Sequence, residues 1–162
     1  MAPITILVGT MTGTAEFAAE DMQQVLREEF GRQVELLLMD DLGPQVFERA
    51  GVFLVCTSTY GTGDVPENAK PLYGALLEQR PDLSGVRYAV FGLGDSTYRE
   101  TFNFGGKRFD DLLAGLGARR LGERAQHDAS SEISTGDHAR DWVRGWYSSV
   151  RYDIDRAATG GG

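Results

Sequence analysis

At 162 residues with 41% hydrophobic side chains, the chain is sized for one globular domain with a real core and is too apolar to be disordered. Its formal net charge of −8, from 24 acids against 16 bases, excludes a nucleic-acid binder working through a basic phosphate-facing patch and permits docking to a basic protein. The single cysteine, Cys56, leaves no internal disulfide and reads as a small core residue in a reducing, cytoplasmic setting.

The opening residues Met1-Ala2-Pro3-Ile4-Thr5 carry no basic region, and every apolar run is short, so neither a leader nor a membrane span is expected. Ile4 to Val8 is a β-branched apolar run that stops at Gly9 and predicts a strand. Ala15, Ala18, Met22, Val25 and Leu26 then recur at helical spacing, with Gly31 closing the helix. Val34 to Met39 and Val52 to Cys56 read as the second and third strands. Asp64, with Glu67 three residues on, predicts a helix start of the capping-box kind. Val86 to Phe91 is a fourth strand, and Phe109, Leu112, Leu113 and Leu116 mark one face of a helix ended by Gly117. A weaker strand lies within 119–126. Trp142, Val143, Trp146 and Val150 predict a last helix capped by Thr135 or Asp137. The small, Gly-rich end from Ala157 to Gly162 predicts a loose tail, which sets the domain at 1–152 and the tail at 153–162.

Five β-α repeats with continuously apolar strands predict an α/β fold: a doubly wound parallel sheet of five strands, order 2-1-3-4-5, with helices on both faces. Ligands of such sheets sit beyond the C-terminal strand ends where the order reverses, so the loops after strands one, three and four carry the interest. Thr10-Met11-Thr12-Gly13-Thr14-Ala15-Glu16 joins a strand end to a helix start, where unpartnered amides and the helix dipole attract an anion. No lysine or arginine lies between Gly9 and Met22, and the Gly-Lys-Ser/Thr ending of a nucleotide triphosphatase is missing. One phosphate monoester fits this loop better than a triphosphate with magnesium; plain helix capping is the bland alternative. Thr57 to Asp64 and Gly92 to Tyr98 each combine glycines with a tyrosine. Glycines let backbone approach a ligand, and Tyr60 and Tyr98 offer flat faces for a planar ring. A receiver domain, which shares the fold, would need acids where Gly9-Thr10 and Thr57-Ser58 stand. His127 and His138 look isolated, and no metal site is expected.

These motifs resemble the flavodoxin family from about residue 4 to about residue 150. The loop Thr10 to Glu16 is similar to its FMN phosphate loop, and Thr57 to Asn68, with Tyr60-Gly61 and a Gly-Asp-x-Pro-x-Asn stretch, to its second flavin loop. Phe91-Gly92-Leu93-Gly94-Asp95-Ser96-Thr97-Tyr98 resembles the third. The FMN domains of sulfite reductase and NADPH–cytochrome reductases share these features. The nearest type looks like the short flavodoxins lacking the long insertion in the fifth strand, among them small bacterial flavodoxin-like proteins tied to biotin synthesis. Flavodoxins are themselves among the folds from which the ligand-placement rule was drawn.

The resemblance implies FMN as cofactor. Thr10, Met11, Thr12, Gly13, Thr14 and Ala15 would surround its phosphate. Ser58, Thr59, Tyr60 and Gly61, with Thr62 and Gly63, would line the ribityl chain and one face of the ring. Leu93, Gly94, Asp95 and Tyr98 would line the other, Tyr98 stacked on it, with Phe102 and Asn103 completing the cofactor set and Asp128 near the flavin. Arg99 departs from the family pattern, where an acid is frequent. The resemblance further implies a bacterial, cytoplasmic, monomeric electron carrier rather than an enzyme. It would pass single electrons from an NADPH-dependent flavin reductase to redox acceptor proteins through a neutral semiquinone. Asp64, Glu67, Asp95 and Glu100 would form a negative rim for a reductase with a basic face. The alternatives are an FMN-dependent, quinone-reductase-like enzyme, a detached FMN domain of a diflavin reductase, or a regulatory flavin-binding module.

Overall fold

Alternation along each central strand decides the architecture. The computed structural model describes residues 2–10, 13–59, 63–95 and 102–159. Strands β1 (Ile4–Gly9), β2 (Val34–Leu38), β3 (Val52–Thr57) and β4 (Arg87–Gly94) pair in parallel in the order β2-β1-β3-β4. Every residue of β1 and β3 is buried. Side chains one residue apart face opposite sides of a sheet. Ile4, Ile6 and Val8, Val52, Leu54 and Cys56, and Ala89, Phe91 and Leu93 therefore fill one apolar layer. Leu7, Phe53, Val55, Tyr88 and Val90 fill the other. Helices α1 (Thr14–Glu28) and α4 (Thr135–Thr159) cover the first layer; α2 (Lys70–Gln79) and α3 (Phe104–Gly115) cover the second. Burying a leucine or isoleucine contributes about 1.5–3 kcal/mol, so the strand core dominates the fold's stability. The predicted five-stranded order 2-1-3-4-5 is the observed one, with the fifth position divided. β5 (Arg119–Arg120) pairs with Arg87 and Tyr88, and β6 (Ala125–Asp128) pairs with β4 further along, from Phe91 to Gly94.

Several boundaries differ from the sequence expectation. β2 ends at Leu38, and Met39 enters a 3₁₀ turn. β4 runs on to Gly94, so Gly92, Leu93 and Gly94 belong to a strand rather than a loop. The helix expected at Asp64 begins as α2 at Lys70, after a 3₁₀ turn over Glu67–Ala69. Pro66 is extended (φ −61°, ψ 158°) and disfavours a helical Val65, while the Asp64 carboxylate accepts the adjacent Val65 N–H at 2.8 Å. The cap of α4 is Ser134, whose hydroxyl accepts the Asp137 N–H at 3.1 Å; Thr135 turns to His127 instead. α4 continues past residue 152 and buries Ile154 in the core. Among the described residues no helix is long and apolar enough to cross a membrane.

Candidate functional site

The C-terminal ends of β1, β3 and β4 lie side by side, since Gly9 pairs with Thr57 and Thr57 with Gly92. Three loops therefore leave one edge of the sheet together, and internal hydrogen bonds fasten them. Thr10 N–H donates to Asn68 Oδ1 at 2.8 Å, and Thr10 Oγ1 accepts the Gly13 N–H at 2.9 Å. Asn68 in turn donates to Val8 O and to Asp40 Oδ2, both at 3.2 Å. One amide side chain thus joins the loop after β1, the turn after β2 and the segment after β3. The sequence names Asn68 as the end of the Gly-Asp-x-Pro-x-Asn stretch, and the structure shows what that position does. The consequence for Thr10 is specific. Its amide is committed to the protein, so it shapes the anion loop rather than offering its N–H to a ligand.

Beyond Thr10 the chain reaches Gly13, left-handed at φ 92°, and enters α1. Among the described residues no side chain caps this start. Thr14 is exposed and Ala15 is buried, so Ala15 can serve a ligand only through its backbone. The first-turn amides of a helix have no acceptor inside it, and the dipole makes this end positive.

The second and third loops are clamped to each other. Ser58 N–H donates to Gly9 O at 3.0 Å. The Thr59 hydroxyl donates to Leu93 O at 3.1 Å and accepts the Gly105 N–H at 3.0 Å. Gly63 is buried at φ 103°, its carbonyl held by Arg108 Nε at 2.5 Å. Leu93 packs into the core on the α1–α4 side, so its side chain does not line a ring. Asn103 is fully buried and left-handed (φ 57°) at the start of α3. It lies so close to β4 that a Cβ on Gly92 would sit 2.8 Å from Asn103 Oδ1, and one on Gly94 2.7 Å from its backbone nitrogen. Those two glycines are therefore needed for packing, and Asn103 braces the site from behind. Phe102 and Asp95 are half-buried at its margin. Met11, Thr12, Tyr60, Gly61, Thr62 and Tyr98, with Arg99 and Glu100, lie outside the described residues.

Asp128 Oδ1 accepts Ser130 N–H at 2.9 Å and Ser130 Oγ–H at 2.7 Å, and Ala129 N–H donates to Gly94 O at 2.8 Å, so this segment adjoins the third loop. Asp64 and Glu67 are exposed, but both meet Lys70, at 3.9 and 2.9 Å, which softens the acidic rim. His127 and His138 are not isolated. Their Nδ1 atoms stand 2.8 Å apart, and His127 Nε2 meets Thr135 Oγ1 at 3.0 Å. Burial holds both imidazoles below their ordinary pKa, and for His127 the neighbouring His138 adds to the effect. No group of three metal-ligating side chains occurs among the described residues. Burial pushes the Cys56 thiol up, which makes it inert.

With this geometry in view, likeness to known proteins decides the family. The flavodoxin family model matches residues 6–142. The chain belongs to the flavodoxin family. It is 36% identical over 154 residues to Protein MioC of Escherichia coli (strain K12), covering 93% of this chain and all 100% of that protein. Flavodoxin YqcA of Pectobacterium carotovorum subsp. carotovorum is 38% identical over 150 residues, 93% of this chain and 98% of that one. Among solved structures, a cysteine-to-alanine mutant of a flavodoxin from Pseudomonas aeruginosa superposes with a TM-score of 0.78 at 32% identity, covering 92% of this chain and 99% of that chain.

Proposed function

We propose that this flavodoxin binds one FMN across the ends of β1, β3 and β4 and carries single electrons between a reductase and acceptor proteins, without a substrate of its own. The observation that carries the reading is the fastened loop before α1. Asn68 and Gly13 hold Thr10 beside a helix start that no side chain among the described residues caps. No cation is present between Gly9 and Met22. Backbone dipoles suit a phosphate monoester there, and a ring placed on the second and third loops would lie within reach of the same edge. FMN supplies the redox chemistry when bound. The chain's own residues hold its phosphate, orient the ring and limit water around it. A ring surrounded by an acidic protein disfavours the anion formed by a second electron, so the reading includes a neutral semiquinone as the working state.

Titration of apoprotein with FMN and with riboflavin tests the binding mode. Charge-assisted hydrogen bonds each contribute about 1.5–3 kcal/mol, so riboflavin should bind weaker by orders of magnitude. Equal dissociation constants would overturn it. Anaerobic dithionite titration tests the carrier role: a blue long-wavelength band should rise and fall midway. Direct passage from oxidised to fully reduced flavin would overturn that part alone.

A further inference from the structure

A groove of about 440 Å³ runs between α2 and α3, on the face that continues from the second flavin loop. Tyr73, Leu77 and Leu112 give it an apolar floor, and Arg80, Lys107 and Arg108 stand along it. Asp111 is the one acid in its lining, and it is spent on Lys107 at 2.8 Å in a solvent-exposed pair of the kind that holds weakly. In a chain of net charge −8 this is a local reversal of sign. Leu77 is 47% exposed there, a large aliphatic side chain left uncovered beside the cations.

Arg80 gives an independent indication. It ends α2 at φ 43° and ψ 59°, a left-handed conformation that glycine accepts easily and other L-residues resist. The chain keeps an arginine where the backbone favours glycine, and its guanidinium takes part in no ion pair among the described residues. Arg108, an exposed residue of the groove lining, links the groove to the second loop, because its Nε donates to Gly63 O.

We infer that this groove docks an acidic, leucine-bearing segment of a redox partner protein: an aliphatic side chain on Leu77 and Leu112, carboxylates on Arg80, Lys107 and Arg108. Bidentate carboxylate–arginine pairing and a small apolar seat give orientation as well as attraction. The placement brings the partner against the Gly63 segment, beside the edge where a bound flavin would exchange electrons. The inference rests on the carrier reading.

The test uses the full chain loaded with FMN, labelled for amide NMR, and a short synthetic peptide of leucines between glutamates. Amide shifts should concentrate in residues 73–80 and 104–115. They should fall at least tenfold in affinity with a glutamine-for-glutamate peptide, with a serine-for-leucine peptide, and in the double variant Arg80→Glu, Lys107→Glu. Shifts spread over other faces, equal binding of the serine peptide (a polyanion sink only), binding unaffected by charge reversal, or no shifts at all would each overturn the inference. The FMN absorption spectrum of every sample, read alongside, reports cofactor binding separately. A protein that holds FMN and ignores the peptide refutes the groove alone, whereas one that holds no FMN refutes the underlying reading.

Discussion

Two helices start at the same sheet edge with the same backbone device and put it to opposite uses. α1 begins from left-handed Gly13 and α3 from left-handed Asn103, and neither of these two residues caps its helix through a side chain of its own. At α1 the described residues leave the space open: among them a Cβ on Gly13 would meet only Phe17, at 3.9 Å. At α3 the protein itself fills the space. The Gly105 N–H is taken by the Thr59 hydroxyl, a Cβ on Gly105 would lie 2.2 Å from Ser58 O, and one on Gly106 3.1 Å from Gly92 Cα. A helix start is therefore an anion site only where nothing in the chain already occupies it. Glycines around a helix start serve ligand approach in one case and backbone packing in the other.

The largest effect should come from breaking the closed start. Gly105→Ala puts a methyl group against a backbone carbonyl that cannot swing away, and overpacking of this kind costs about 3 kcal/mol. Gly13→Ala meets open space and bears only the left-handed penalty of about 1–2 kcal/mol. Urea unfolding of the two apoproteins checks the difference. A Gly105→Ala variant no less stable than Gly13→Ala would show that the two starts are alike.

The next test sharpens the open start. Asn68→Ala removes the acceptor for the Thr10 N–H and the donor to Val8 O, leaving the anion loop untethered. FMN should bind roughly tenfold weaker, the equivalent of about one hydrogen bond. Riboflavin, which lacks the phosphate, should lose much less. Parallel losses for both ligands would mean that Asn68 supports the whole edge and not the anion loop in particular.

The layered fold was legible in the sequence because β1 and β3 are apolar at every position, and only a sheet covered on both faces buries such strands. The three motifs also meet at one edge of the sheet. What the sequence concealed was which atoms are already in use. Thr10 and Thr59 look like ligand hydroxyls, yet the Thr10 hydroxyl accepts a hydrogen bond within its own loop and the Thr59 hydroxyl ties the second loop to the third. Leu93 looks like loop and lies in the core because β4 continues through it. Gly92 and Gly94 look like ligand-approach glycines and are required by the buried Asn103. His127 stands on β6 and His138 on α4, in different elements whose separate patterns do not relate them, and only the turn between β6 and α4 brings their rings together. The fifth strand was indistinct because it is divided: β5 ends at Arg120, Leu121 N–H still donates to Tyr88 O, and pairing resumes only at Ala125.

The smallest effect concerns that histidine pair, which sits behind the closed start. The Asn103 amide donates to His127 O at 3.4 Å, so β6 and α3 share this support. His127 faces His138, Thr135 and, along β6, Asp128, with Phe91 stacked at 6.4 Å between ring centroids; His138 faces Asp141 on α4. One Nδ1 carries the proton that the other accepts; a first added proton makes one imidazolium in this sheltered space, and a second would set two cations against each other. Burial lowers both pKa values from the ordinary 6.5, and the His138 charge lowers that of His127 further, against a smaller opposing effect of Asp128. The unfolded chain then takes up these protons at higher pH than the folded one. The sign follows: stability is complete above about pH 6.5 and falls as the pH drops through that value toward the lower folded-state pKa values. Carboxylates held low by their partners, Asp137 by Arg140 and Ser134 and Asp82 by Ser84, stay ionised over this interval and contribute only in stronger acid. Urea midpoints of the apoprotein at about pH 7.5 and about pH 5.5 should therefore differ, with the acid value lower by much less than the Gly105→Ala loss. His138→Gln keeps a hydrogen-bonding side chain but removes one titrating ring and the charge that opposes His127, so it should flatten the dependence. Equal midpoints in the wild type, or a slope unchanged in the variant, would show that the pair takes up protons as readily folded as unfolded.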